Sequence, residues 1–143
     1  MPTNHHTKNK GDFGVLKAKI DLVSKGYMIL SPETEHAPFD LVAYQNGDFY
    51  RIQVKYRSAK NGLIRVVLKS VWADKNGTHV SNVDKNSIDY FCVFCPDTDE
   101  CYYFNPKNIE GYNFAIRIHK AKNNQTSGVH FSNNFLDFPP KSL

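Results

Sequence analysis

An Asn46-Gly47 dipeptide constrains the fold of this chain more than any other feature of its sequence. It separates two runs rich in aromatic and aliphatic residues, 38–45 and 48–55, and this pattern is the strongest short-range signal for a β-hairpin with a two-residue turn. A turn of that length fixes which residues face each other. Asp40 is then predicted to face Gln53, with Cβ atoms roughly 5 Å apart, close enough for both side chains to share one metal ion.

The two faces of the predicted hairpin differ in character, because side chains alternate along a strand. One face carries Asp40, Gln53 and Lys55. A shift of one residue in the pairing would turn the apolar face toward water, so burial and the turn select the same register. The face that we expect to meet the core is formed by Phe39, Leu41, Ala43, Tyr50, Ile52 and Val54.

The composition of the chain indicates one ordinary globular domain over residues 1–143. Hydrophobic residues make up 41% and charged residues 22%, and a chain of this length can bury one continuous core. No apolar run approaches the length that crosses a bilayer, and the N-terminus lacks the apolar segment of a signal peptide, so we expect a cytoplasmic protein with no membrane contact. The net charge of +4 is concentrated in residues 1–72, which favours a polyanion as partner.

The remainder of the sequence predicts one helix followed by β-structure. Apolar residues recur at helical spacing from Asp12 to Lys25, and Gly26 suits the position just after a helix. The preceding residues, 1–11, are interpreted as a flexible basic arm. This order describes an α/β (α+β) domain with a mixed sheet and the helix packed on one face. Further strands are predicted at 27–30, 63–70, 89–95, 101–104 and 114–118, with a small hairpin over 71–82.

A carboxylate, a second oxygen ligand and a lysine on paired strands suit the cleavage of a phosphodiester bond. Mg²⁺ takes hard oxygen ligands, keeps several waters and bridges to phosphate oxygens. A bound Mg²⁺ lowers the pKa of its water and neutralises charge that develops on the phosphate. Lys55 follows Gln53 by two residues on the same face, where its ammonium can contact the attacking water or a phosphate oxygen. The polar face of the hairpin therefore predicts a phosphodiester-cleaving site.

Pro38-Phe39-Asp40, a spacer of twelve residues and Gln53-Val54-Lys55 resemble the core motif of the PD-(D/E)XK nuclease superfamily. The helix before this motif and the strands after it also follow the order of that superfamily. More narrowly, the sequence resembles the small cyanobacterial group I intron-encoded homing endonucleases over most of its length. The passages that carry this narrower resemblance are 10–12, 25–27, 37–41, 50–55, 88–91 and 95–103.

The resemblance implies a restriction-endonuclease-like core and a Mg²⁺-dependent endonuclease that cuts double-stranded DNA at specific sites, with Mn²⁺ as a substitute metal. It also implies a homo-oligomer, a tetramer or a dimer, whose subunits together contact a long target. Carried over residue by residue, Asp40 becomes the acidic metal ligand and Lys55 the catalytic lysine. Gln53 stands where most of the superfamily has Asp or Glu, and the backbone carbonyl of Val54 becomes a further metal ligand.

The sequence departs from the superfamily pattern at two positions. Gln53 is neutral and binds Mg²⁺ more weakly than a carboxylate, although the homing endonucleases that the chain resembles also carry glutamine there. Many members place a Glu on the first helix, and the corresponding residue is Val15, which cannot bind a metal. Asp12, one turn earlier on roughly the same helix face, can take that catalytic role, but a carboxylate at the start of a helix also serves as a cap. Both interpretations of Asp12 stay open.

Basic and amide side chains form a set of candidate DNA contacts. Lys and Arg bind phosphates, while Asn and Gln can also read adenine edges in the major groove. Each of these side chains is also compatible with an ordinary solvent-exposed surface, and the two interpretations stay open. The candidates are Lys8, Lys10, Arg57, Lys60, Arg65, Lys69, Lys120, Lys122, Asn123, Asn124 and Gln125.

The cysteines and His36 have simpler interpretations. Three cysteines are an odd number, which argues against a disulfide framework. Cys92 and Cys95 have the spacing of a metal motif, but on an extended strand they point to opposite faces, so buried thiols are favoured over a zinc site. His36 precedes Asp40 in a polar loop, where a surface position is favoured over a role beside the scissile phosphate.

Three hypotheses for function follow from the sequence. The first is a site-specific double-strand DNA endonuclease of the homing type. The second is a structure-selective junction or repair nuclease, since the same core serves those roles. The third is a non-catalytic DNA-binding or assembly protein on a nuclease fold, and it is motivated by Gln53 and Val15.

Overall fold

The computed structural model describes residues 7–119 and 128–141. Within this part of the chain, one long helix is followed by β-strands and two short 3₁₀ helices. The helix and strands are α1, Thr7–Ser24; β1, Met28–Leu30; β2, Leu41–Gln45; β3, Asp48–Tyr56; β4, Leu63–Val67; β5, Lys69–Asp74; β6, Gly77–Asn82; β7, Tyr90–Cys95; β8, Glu100–Phe104; and β9, Asn113–Arg117. The 3₁₀ helices are Pro106–Asn108 and Ser132–Asn134.

The central sheet has five strands in the order β1-β2-β3-β7-β8. β3 and β7 run parallel, while the other neighbouring pairs are antiparallel, so the sheet is mixed. β4 pairs with β9, and β5 pairs with β6, in two separate ribbons. α1 packs on one face of the central sheet, mainly against β3. The predicted α+β class, with a mixed sheet and an N-terminal helix on one face, is confirmed.

β2 and β3 form the predicted hairpin in the predicted register, with Leu41 opposite Ile52. Asn46 and Gly47 have φ angles of 53° and 89°, in the left-handed region that a type I′ turn requires. Leu41, Ala43 and Ile52 are fully buried, so the apolar face meets the core as expected. The turn and the burial of one face fix the same pairing.

α1 begins earlier than the sequence predicts, at Thr7 rather than Asp12. Residues 7–11 therefore belong to the helix, and their interpretation as part of a flexible arm is wrong. Asp12 lies inside the helix rather than at its start, so its interpretation as a cap is also wrong. The extra turn is made of polar residues and Gly11, and a search for apolar periodicity cannot detect such a turn. Residues 1–6 lie outside the described part of the chain.

The C-terminal end of α1 is formed as the sequence predicts. Gly26 has a φ of 92°, and its N–H donates to the carbonyl of Val23. The N–H of Tyr27 donates to the carbonyl of Leu22. These two bonds form a Schellman motif, in which glycine adopts the left-handed conformation at little cost.

The apolar residues of α1 divide into two stripes on different sides of the helix. Gly14, Ala18 and Leu22 are buried at a spacing of four residues. A Cβ atom at Gly14 would lie 3.4 Å from the Cβ of Tyr56, so the absence of a side chain lets the helix approach β3 closely. The second stripe, which we name the α1 stripe, is exposed to solvent and consists of Leu16, Ile20 and Val23.

Two clusters of buried side chains lie on opposite faces of the central sheet. The first lies under α1 and includes Ile52, while the second includes Ile116 of β9. β7 contributes to both, through Cys92 in the first cluster and Cys95 in the second. The prediction that these two cysteines point to opposite faces is confirmed, and both are buried free thiols.

The predicted strand over 63–70 is divided between β4 and β5. β5 and β6 form the predicted small hairpin, which pairs from Lys69 opposite Asn82 to Asp74 opposite Gly77. We name residues 69–82 the β5–β6 ribbon.

Candidate active site

Asp40 is held against β3 by its backbone and by its side chain. It lies one residue before β2, and its N–H donates to the carbonyl of Ile52 at 2.9 Å. Its Oδ2 accepts a hydrogen bond from the N–H of Val54 at 2.7 Å. The carboxylate is therefore fixed beside the part of β3 that carries Gln53 and Lys55.

Gln53 lies on the face of the sheet opposite α1, because Val54 and Ile52 point toward the helix. Its Oε1 is buried and accepts no hydrogen bond from any described residue. Buried oxygens without a partner are rare and cost free energy. A cation bound next to Asp40 would satisfy this oxygen.

Lys55 lies on the same face of β3 as Gln53. Its Nζ donates to the backbone carbonyl of Lys69, at the root of the β5–β6 ribbon, at 3.2 Å. Burial lowers the pKa of Lys55 below its ordinary value, and the charge of Arg57 lowers this pKa further, while Asp40 opposes both effects. The strand thus holds an amine that loses its proton more readily than an ordinary lysine.

The pKa of Asp40 is also shifted in the direction that disfavours the charged form. The residue is exposed to solvent, yet the surrounding protein desolvates its carboxyl group and raises its pKa. The hydrogen bond from Val54 and the charge of Lys55 lower the pKa but do not cancel this increase. Asp40 and Lys55 therefore lie close enough to influence each other, in an environment that disfavours both charges.

The donor set of this site fits a small hard cation. The available oxygens are the Asp40 carboxylate, Gln53 Oε1 and the backbone carbonyl of Val54, and Mg²⁺ and Mn²⁺ prefer such ligands. The unpartnered Gln53 oxygen is the observation that favours a bound cation. Across residues 7–119 and 128–141, no group of three or more His, Cys, Asp or Glu side chains could hold a metal. Water and phosphate oxygens would have to complete the shell.

Asp12 and Val15 lie on α1, which packs on the other face of the sheet. Asp12 is exposed, and its catalytic role stays a prediction. Val15 is half-buried and packs against the cluster under the helix. His36 is exposed in the loop before Asp40, as expected for a surface residue.

The candidate DNA contacts within the described residues lie at the end of β3, on the segments that follow it and, for Lys10, on α1. Arg57 continues β3, is half-buried and donates to the carbonyl of Tyr56 at 2.8 Å. Lys10, Lys60, Arg65 and Lys69 are exposed. The side chain of Lys8 lies outside the described residues, and so do Lys120, Lys122, Asn123, Asn124 and Gln125. Contact of these residues with DNA stays a prediction.

Sequence reasoning missed one ion pair that positions the site. The guanidinium of Arg51 donates to both carboxylate oxygens of Asp89, at 3.0 and 3.1 Å. The N–H of Arg51 also donates to Asp89, and the N–H of Asp89 donates to the carbonyl of Arg51. Burial raises the pKa of Asp89, but the hydrogen bonds and charge of Arg51 lower it overall. The pair fastens β3, two residues before Gln53, to the start of β7.

None of the helices in the described residues is long and apolar enough to cross a membrane.

A solved structure shares this fold. A bacterial homing endonuclease, I-Ssp6803I, is 22% identical, with a TM-score of 0.69, and the match covers 85% of this chain and 83% of that one. A Holliday junction resolvase, Hjc from Archaeoglobus fulgidus, is 16% identical with a TM-score of 0.49, covering 76% of this chain and 84% of that one. A search of curated proteins gave no match.

The family comparison covers nearly the whole chain. The model of the PD-(D/E)XK endonuclease family matches residues 5–138, which include Asp40, Gln53 and Lys55. The predicted fold and the predicted superfamily are both confirmed. This chain belongs to the PD-(D/E)XK endonuclease family.

Proposed function

We propose that this protein is a Mg²⁺-dependent endonuclease of the homing type, which cuts double-stranded DNA at specific sites. The single observation that carries the proposal is the polar face of the hairpin, where a fixed Asp40 carboxylate, an unpartnered Gln53 oxygen and Lys55 occur together. Nucleases of this family generally use divalent metal ions. Mn²⁺ is expected to replace Mg²⁺.

Each residue of the site has a defined role in this proposal. Asp40, Gln53 and the carbonyl of Val54 hold the metal, which when bound lowers the pKa of a water and offsets negative charge on the phosphate. Water attacks phosphorus, and the bond to the 3′ oxygen breaks, which leaves 5′-phosphate and 3′-hydroxyl ends. Lys55 releases the carbonyl of Lys69 and donates to a phosphate oxygen or to the attacking water.

The DNA itself is proposed to follow the basic residues near β3. Arg57, Lys60, Arg65 and Lys69 follow Lys55 in the chain and suit contacts to phosphates on either side of the cut. Lys10 on α1 and the side chains of Lys8, Lys120, Lys122, Asn123, Asn124 and Gln125 complete the proposed set. The proposed compartment is the cytoplasm.

We expect the active form to be a homo-oligomer, a dimer or a tetramer. One subunit supplies one Asp40 site, so the cleavage of two DNA strands calls for two copies. The α1 stripe supports association, because Leu16, Ile20 and Val23 are 57%, 68% and 59% exposed on one side of the helix. A second copy that covers this stripe would remove its apolar surface from water.

The proposal is tested by incubating the protein with a random-sequence plasmid library and Mg²⁺, then reading which sites are cut. We expect cleavage at a restricted set of sites, and none in excess EDTA. A parallel branched DNA separates a site-specific enzyme from a junction nuclease. Cleavage that persists in EDTA, or that depends only on the branch, would contradict the proposal.

Substitutions at the site give the sharpest version of this test. Asp40→Asn and Lys55→Met should each reduce cleavage at least about 100-fold, since each removes a group that stabilises the transition state. Binding of the same DNA in Ca²⁺ should persist in both variants. Asp48→Asn is the matched control, because it removes an exposed carboxylate from the same hairpin and should leave cleavage unchanged.

A non-catalytic DNA-binding protein is the second candidate function. The observation in its favour is the single carboxylate at the site, since the described residues hold no cluster of three or more metal-binding side chains. This candidate predicts DNA binding without cleavage in either Mg²⁺ or Mn²⁺.

A further inference from the structure

The β5–β6 ribbon is a projection with a buried root. Its two strands pair only with each other, and in the described structure only Ser70 and His79 of the ribbon are even partly buried. At its root, Leu68 and Val83 are buried in the core, and the N–H of Val83 donates to the carbonyl of Leu68. The root fixes the direction of the ribbon, while the rest extends into solvent.

This ribbon exposes large apolar side chains. Val71 and Val80 face each other across the strands and are 65% and 58% exposed. Trp72 and His79 form the next cross-strand pair, so they lie on the opposite face. An isolated two-stranded hairpin is marginally stable in water, and large exposed side chains mark interaction sites. The exposed ribbon therefore has the features of a binding surface.

The Trp72 face of the ribbon is preorganised. The Trp72 indole and the His79 imidazole stack with centroids 5.3 Å apart and planes 25° apart. His79 Nε2 lies 2.9 Å from Asp74 Oδ1, which orients the imidazole and leaves its other ring nitrogen, Nδ1, as a polar atom for a ligand. A flat aromatic pair with one polar atom can contact the apolar and hydrogen-bonding edges of bases.

The position of the ribbon indicates what this partner is. The carbonyl of Lys69, its first residue, accepts the hydrogen bond of Lys55 at the active site. A substrate whose phosphate reaches Lys55 must therefore pass the root of the ribbon. Six paired residues span about 20 Å, and a two-stranded ribbon has a width that the major groove of DNA admits.

We propose that the β5–β6 ribbon enters the major groove of the bound DNA beside the cleaved phosphate, with Trp72 and His79 as its base-contacting face. This inference rests on the proposed function, because it takes DNA as the ligand of the Lys55 site. The ribbon carries two lysines against one aspartate, so it adds little charge. Its contribution is then to sequence specificity more than to salt-dependent affinity.

The fluorescence of Trp72 tests this directly, because it is the only tryptophan in the chain. The full-length protein is mixed, in Ca²⁺, with a duplex carrying its preferred site, or with a mixed-sequence duplex if cleavage selects none. Binding is followed by mobility shift and the exposure of Trp72 by acrylamide quenching. We expect quenching to fall as the complex forms.

The possible outcomes separate this inference from the proposed function. Binding with unchanged quenching overturns the inference alone. Protection of Trp72 that rises with protein concentration, without DNA, shows that a second copy covers the ribbon and also overturns it. Protection by DNA without any cleavage in Mg²⁺ supports the inference and overturns the proposed function. The absence of DNA binding overturns both.

Paired variants on the two faces of the ribbon supply the matched control. Trp72→Ser with His79→Ser should weaken binding to the preferred site by roughly tenfold or more, with little change on unrelated DNA. Val71→Ser with Val80→Ser removes the exposed apolar pair of the opposite face and should leave binding unchanged. Circular dichroism checks that both variants fold. Equal effects on both faces, or no effect on either, would overturn the assignment of the Trp72 face.

Discussion

An Asn-Gly dipeptide occurs in the β2–β3 hairpin, in the β5–β6 ribbon and in the short turn between Lys60 and Leu63. The first two of these differ most in packing. In β2–β3, Asn46-Gly47 forms the turn itself, and both residues have positive φ angles. In the β5–β6 ribbon the turn is Lys75-Asn76, while Gly77 has a φ of 115° and already pairs with Asp74. Local sequence therefore specifies that a hairpin forms, and the surrounding strands determine how it is used.

The difference in packing corresponds to a difference in role. β2–β3 lies inside a five-stranded sheet with one face buried, so its polar face holds Asp40 in a fixed position, as the proposed catalytic role requires. The β5–β6 ribbon has no buried face and joins the core only at its root. Such an element has both faces open to a ligand, which suits the contact with DNA proposed for Trp72 and His79.

The largest expected effect concerns the oxygen of Gln53. Gln53→Leu removes this ligand from the packed hairpin and should reduce cleavage at least about 100-fold, while Gln53→Glu should bind Mn²⁺ more tightly than the natural protein. Titration calorimetry with Mn²⁺ and cleavage kinetics measure the two effects. If Gln53→Leu cuts DNA at the natural rate, Gln53 does not bind the metal.

The next effect compares the stability of the two hairpins. Leu41→Ala should lower the free energy of unfolding by about 2–5 kcal/mol, because it leaves a cavity in the core. Val71→Ala on the exposed ribbon should change it by about 0.5 kcal/mol or less. Urea denaturation measures both. Similar losses at the two positions would show that the ribbon is packed in solution.

A smaller effect is expected where β3 is fastened to β7. Asp89→Asn removes the charge that pairs with Arg51, and both side chains are partly exposed, so a loss of about 1 kcal/mol is expected. The pKa of Asp89 is lowered in the folded chain. The stability that ionised Asp89 contributes is therefore present above its unfolded pKa and is lost as the pH falls through its folded pKa. Urea denaturation at several pH values measures the effect. The prediction is contradicted if the free energy of unfolding falls equally on acidification in the natural protein and in Asp89→Asn.

The smallest effect is a gain in stability at the candidate active site. The pKa of Asp40 is raised in the folded chain. The Asp40 carboxyl group of the folded chain therefore keeps its proton at pH values where that of the unfolded chain has lost it. Ionisation of Asp40 therefore opposes folding, and fully so above its raised pKa. Asp40→Asn should raise the melting temperature slightly at neutral pH without metal, and this gain should disappear below the unfolded pKa. Asp48→Asn controls for the loss of charge alone.

Much of the packed hairpin could be predicted from sequence because two independent signals agree there. Asn46-Gly47 sets the turn, and the alternation through Leu41 and Ile52 sets the buried face. Neither signal depends on distant parts of the chain. The motif at Asp40, Gln53 and Lys55 then indicated the family, which the family comparison confirmed.

The features that sequence reasoning missed depend on longer-range contacts or lack a pattern. The first turn of α1 is polar and carries no apolar period, so its start at Thr7 could not be found. Arg51 and Asp89 are far apart in the chain and meet because β3 and β7 pair in parallel. The division of the α1 residues into a buried and an exposed stripe depends on where the sheet lies, which the helix sequence does not contain.

The central claim is that the packed hairpin binds a divalent metal between Asp40 and Gln53. The most direct test is anomalous diffraction from crystals of the natural protein and of Asp40→Asn grown with Mn²⁺. The account predicts an anomalous peak in contact with the Asp40 carboxylate and Gln53 Oε1 in the natural protein, and no peak there in the variant. A peak elsewhere, or a peak that persists in Asp40→Asn, would contradict it.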